Sequence, residues 1–193
     1  SDPSNASYAI PGSAGGTPVT SLGAEEFSRM NGGQLRELPP NQMAQVDPFA
    51  FTKFAPGQVQ ELSRAQLNAF SGDQFGALPP EAMTGFKADQ INRMPAATFG
   101  GLNALQLGAF EGNALKAITP GQWDAMPPGA MGEFGAGQFR SLPDDVLDGF
   151  KPANMGAMPP AVFGGMKAKQ IDALGNKAFS LIGPAQSAEF TPK

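Results

Sequence analysis

The feature that most constrains this chain is a hydrophobic period of eight residues. Between Met126 and Ala173 three blocks of sixteen stand end to end, MPPGAMGEFGAGQFRS, LPDDVLDGFKPANMGA and MPPAVFGGMKAKQIDA, and each divides again into two octads. From Leu22 the register runs without insertion or deletion. Its first position holds Leu22, Met30, Leu38, Val46, Phe54 and Leu62, continuing to Phe190, and is never polar. Its sixth position holds Phe27, Leu35, Met43, Phe51, Val59 and Leu67, continuing to Phe179, and fails only at Ser187. All nine Met and every Phe except Phe49 fall in these two columns, and no Lys, Arg, Asp or Glu enters either. A fixed short period marks a repeat architecture in which each unit buries its apolar face only against its neighbours. Gly 25 and Pro 19 make up nearly a quarter of the chain, a level typical of disorder. A disordered chain, however, has no reason to return a hydrophobe at every eighth residue.

The remaining positions show what the backbone does. Position 5 is often Gln, as in Gln34, Gln58, Gln66, Gln74, Gln90, Gln106, Gln122, Gln138, Gln170 and Gln186. Ser63 with Gln66, Ser71 with Gln74 and Thr119 with Gln122 match the capping box, in which two side chains satisfy the unpaired amides of a helix start. Pro56, Pro120 and Pro184 then sit at the first helical residue, where a missing N–H costs nothing. Positions 6 and the next 1 are three apart and share one face of a helix of about six residues. Proline arriving every eight or sixteen residues rules out a continuous helix. A strand would place successive hydrophobes on opposite faces.

The expectation is an all-α solenoid of very short α and 3-10 helices, with a β-solenoid or leucine-rich-repeat-like coil as the alternative. From Phe70 onward Pro-rich octads such as LPPEAMTG and MPAATFGG alternate with Gln or Asn octads such as FKADQINR and FKPANMGA. That alternation predicts layers of about sixteen residues, two helices each, stacked into a rod on the order of 80–100 Å long. Small residues at position 8, such as Gly101, Ala125 and Gly149, would let layers approach closely. Residues 1–21 read as a flexible leader or linker, residues 22–189 as the solenoid and residues 190–193 as a tail, cut from a longer array.

Net charge is −4 with only 13 scattered basic residues, which predicts neither a nucleic-acid partner nor a polybasic membrane patch. No apolar run approaches the roughly 18 residues of a membrane span. Without His and Cys, most catalytic triads and the usual zinc and haem ligands are unavailable. Asp144 and Asp145 read as a solvated acidic surface at a helix start, Lys87, Lys151 and Lys167 as surface cations rather than a ligand stripe, and Trp123 as core. The Gln column reads as caps and backbone partners within the stack. The chain is therefore expected not to be an enzyme, with no catalytic, cofactor-binding or metal-binding residue to assign.

LSRAQLNAFSGDQFGAL and FKADQINRM resemble the tandem octapeptide units, of the form Leu-Thr-x-x-Gln-Val-x-Ala, of bacterial secreted and cell-surface proteins described as adhesin-like or haemagglutinin-like. The likeness covers residues 22–189 as a pattern, with Pro or Gly standing where those units usually carry Thr. It implies a secreted or cell-surface repeat scaffold for adhesion or spacing, with a protein or surface polysaccharide as partner. The alternative is a carbohydrate- or peptide-binding module that uses the outer face. An apolar end would also favour end-to-end self-association.

Overall fold

The computed structural model describes residues 18–179 and 183–190, side chains of 148, 174–179 and 190 excepted. Among the described residues the chain is an all-α solenoid of helices mostly four to six residues long, with no strand. Helices this short are unstable alone, and each begins where the octad places its cap. Ser63 caps Arg64–Ala69 and Ser71 caps Gly72–Ala77, while proline opens Pro56–Gln60, Pro120–Ala125 and Pro184–Ser187 at its first residue. Arg64–Ala69, Gly72–Ala77 and Pro120–Ala125 hand over directly to an extended position 1 residue, Phe70, Leu78 and Met126, from which the next unit starts.

The two octad types take two helix types. Four of the six octads with Pro at position 2 form 3-10 helices, at Pro80–Gly85, Ala96–Gly101, Pro128–Glu133 and Asp144–Gly149, whereas the Gln octads are α. The two octad types also differ at the cap. A proline at position 2 carries no N–H, so a Gln three residues on would have nothing to accept from, and Ala82, Thr98, Ala130 and Val146 stand there instead.

The sixteen-residue layer is corrected. Stacked helices lie 24 residues apart, as Ala104–Ala109 on Pro128–Glu133 and Pro56–Gln60 on Pro80–Gly85. Side-chain bonds between turns span 28 and 31 residues, as from Gln66 to Leu38 and Leu35. One turn thus takes about three and a half octads, and the layer is not a pair. With 8–10 Å between helix axes, some six turns over residues 19–190 make a rod roughly 50–60 Å long, shorter than expected. Alternation along the chain goes with helix type in four of the six Pro octads; it does not set the number of units per turn.

Both columns face inward. Trp123, Phe27, Phe51, Phe75, Phe99 and Phe139 are fully buried, and Leu22, Phe150 and Met166 pack half-buried against the same core. Ile171 is half-buried at its margin. Seats at 174, 179, 182 and 190 lie outside the described side chains. Aromatic rings meet at 4.9 Å for Phe51 and Phe70, 5.4 Å for Phe75 and Phe99, and 4.6 Å for Trp123 and Phe150. Phe49, outside both columns, is 70% exposed.

Two boundaries shift. Val19 stands eight residues before Phe27 and is fully buried, so residues 18–21 belong to the fold rather than to the leader, whose residues 1–17 lie outside the described chain. Ala168–Phe179 is one helix of twelve residues that runs through an octad boundary. There Gly175 and Ala178 supply neither a capping box nor a proline to end it.

Close approach of turns depends on position 8. A Cβ added to Gly101 would overlap the carbonyl of Gly72, one added to Gly85 the carbonyl of Pro56, and one added to Gly149 the carbonyl of Pro120. Gly137, in a helix of the same register, would meet nothing within 4 Å. Gly101→Ala is therefore expected to cost about 1–3 kcal/mol by overpacking, while Gly137→Ala is neutral or stabilising by up to about 1 kcal/mol. Urea unfolding of both variants checks the contrast, and equal stabilities would contradict the backbone contact.

Candidate functional site

The most regular polar group of the fold is the position 5 side-chain amide, and it works in two directions. In Gln66 the Oε1 accepts from the Ser63 N–H at 2.9 Å, and the Nε2 donates to Leu35 O at 2.6 Å and Leu38 O at 2.8 Å on the preceding turn. Gln58, Gln74, Gln90, Gln106, Gln122, Gln138 and Gln186 repeat this pattern of one acceptance and donation to carbonyls 31 and 28 residues back. Gln170 accepts from the Lys167 N–H and donates to Phe139 O. Gln106 and Gln170 are fully buried. The column is a ladder inside the protein and presents no row of amides to a ligand. In the first octad Glu26 accepts from Gly23 N–H at 3.1 Å and, as a carboxylate, has nothing to donate.

Two other polar residues at position 5 make weaker versions of it. Thr98, in a Pro octad, donates its hydroxyl to Phe70 O at 3.3 Å, one bond where Gln makes two. Asn154, one methylene short, reaches Trp123 O at 3.5 Å and Met126 O at 3.3 Å, and its Oδ1 is buried without a partner. The Trp123 Nε1 is likewise buried and unpaired, and its ring stacks on Phe150, so it is a core side chain.

The other residues singled out from sequence do not converge. Asp144 and Asp145 are exposed at the start of a 3-10 helix, and no cluster of three or more ligating side chains forms among the described residues. Lys151 lies 3.8 Å from Asp124, while Lys87 and Lys167 sit at spacings that do not coincide with stacked positions. Lys53 donates to Glu25 and Arg36 to Glu61 across turns. The bond from Lys53 and its charge hold the Glu25 carboxyl below the usual range.

Sequence reasoning missed a cleft of about 250 Å³ between Arg64–Ala69 and Ala88–Ile91, bordered by Gln60, Ser63, Arg64, Asn68, Lys87 and Arg93 among others. A second hollow of about 360 Å³ lies beside Phe49 and Leu22. No helix among the described residues is long and apolar enough to cross a membrane. No family model, curated protein or solved structure matches the chain.

Two substitutions test the amide. Asn154→Gln should stabilise by about 1 kcal/mol, since the longer amide can accept from the Lys151 N–H and shorten both lateral bonds. Gln106→Glu keeps the acceptor but buries a charge against two carbonyls, at a cost of about 3 kcal/mol or more at neutral pH. Burial raises the folded pKa of that carboxyl above its unfolded value of about 4.3. The stability of the variant is therefore greatest below the unfolded value and is lost as pH rises through the folded one. Thermal unfolding between acid and neutral pH reads both effects, and a pH-independent deficit in Gln106→Glu would contradict the lateral role.

Proposed function

We propose that the chain is a non-catalytic scaffold, an elongated repeat rod that spaces or presents other parts of an exported bacterial protein at the cell surface. The observation that carries this reading is the ladder from Gln58 to Gln186, in which the most regular polar side chains of the repeat bond to the rod itself. What the octads encode most consistently is therefore axial continuity of one core rather than a constellation of reacting groups. The octapeptide likeness, carried by LSRAQLNAFSGDQFGAL and FKADQINRM, supports the exported setting.

Antibodies against residues 22–189 are expected to label intact cells of the source bacterium without permeabilisation. Labelling confined to lysed cells would contradict export. Within the full-length protein, deleting an internal block of seven octads, two turns, should shorten the reach of the flanking parts while preserving fold. Loss of folding on that in-register deletion would contradict the rod.

A further inference from the structure

We propose that the cleft between Arg64–Ala69 and Ala88–Ile91 binds an acidic peptide, whose carboxylates are held by Arg64, Lys87 and Arg93. This goes beyond the scaffold reading and does not rest on it. The position 3 residue of one helix and the position 8 residue 29 further on face each other across adjacent turns. Gly85 meets Pro56, Gly101 meets Gly72, Gly149 meets Pro120 and Gly165 meets Ala136 in this way, and each pair is small enough to close. The same spacing opposes Arg93 to Arg64. Two long side chains of like charge cannot close, and the helices that carry them do not pack as their neighbours do. On either side, Pro56–Gln60 packs on Pro80–Gly85 and Gly72–Ala77 on Ala96–Gly101. The cleft opens at that interruption, while Gln90 still bridges to Val59 O and Leu62 O beneath it at 3.0 Å.

Charge at this place is also unlike that at the two preceding turn contacts of the same kind. There the charged residue at position 8 is met by an opposite charge across the turn, Lys53 by Glu25 and Glu61 by Arg36. Among the described residues no ion pair engages Arg64, Lys87 or Arg93. Asp89 is the single carboxylate in the lining, so the cleft is net positive on a chain of net charge −4. Guanidinium groups grip carboxylates through paired N–H donors. Asp89, Asn68 and Ser63 supply acceptors for the backbone N–H groups that recur at every residue of a peptide. No aromatic face lines the cleft for a sugar ring to stack on.

Isothermal titration of the whole chain with acetylated, amidated hexaglutamate, at about 50 mM salt, tests the site. Saturable one-to-one binding is expected, weakened about tenfold or more in R64Q/R93Q and by about 0.5 M NaCl, and unchanged in K116Q/K169Q. In the unsubstituted protein, hexaglutamate should shift the side-chain NMR signals of Arg64 and Arg93, which keeps the test valid should R64Q/R93Q unfold. Absence of binding, equal binding by a folded R64Q/R93Q, shifts confined to other residues, or binding of trigalacturonate without hexaglutamate would each overturn the proposal.

Discussion

The solenoid depends on one side-chain amide that satisfies backbone groups at both ends of its neighbours. Every helix leaves its first N–H and last C=O groups without intrahelical partners. In helices of four to six residues nearly all backbone polar groups are of this kind, so the cost of burying them would exceed what a short apolar face returns. Gln at position 5 accepts from the cap N–H of its own helix and donates twice to the closing carbonyls of the helix four octads earlier. Its inventory of two donors and a carbonyl acceptor matches that requirement. Glutamate lacks the donors, and asparagine lacks the length, as the unpaired Oδ1 of Asn154 shows.

The same interaction organises the rest of the repeat. Where Pro occupies position 2 there is no cap N–H to satisfy, and most such octads carry a small or β-branched residue at position 5 and tighten to a 3-10 helix. Glycine at position 8 of several of these octads lets backbone meet backbone one turn away. Each turn is thus tied to the next by lateral amides, close glycine contacts and shared aromatic clusters. Stability of this form is transmitted from neighbour to neighbour along the axis. The Arg64 and Arg93 pair interrupts only the packing, because the Gln90 bridge persists there.

The inward columns, the capping boxes and the helical class were legible in sequence because they are local. A hydrophobe every eight residues and Ser63 followed by Gln66 need no knowledge of the turn. The number of octads per turn was not legible, since an eight-residue period closes equally well on two, three or four units. The alternation of Pro and Gln octads suggested two, but it reports the presence or absence of a cap N–H. Val19 carried a signal in its spacing from Phe27, outside the register drawn from Leu22. Nothing marked the long helix Ala168–Phe179 except a missing capping box. The cleft could not be read before the turn was known, because Arg64 and Arg93 become neighbours only once 29 residues complete the circuit.

The most direct measurement is NMR detection of couplings through the lateral hydrogen bonds, from the Gln106 Nε2 to the carbonyl carbons of Phe75 and Leu78. A clamping amide predicts both couplings and side-chain amide protons that exchange slowly with solvent, repeated at Gln66, Gln74 and Gln122. Rapidly exchanging amides without coupling, in a protein that is otherwise folded and helical, would contradict the clamp and with it the three-and-a-half-octad turn.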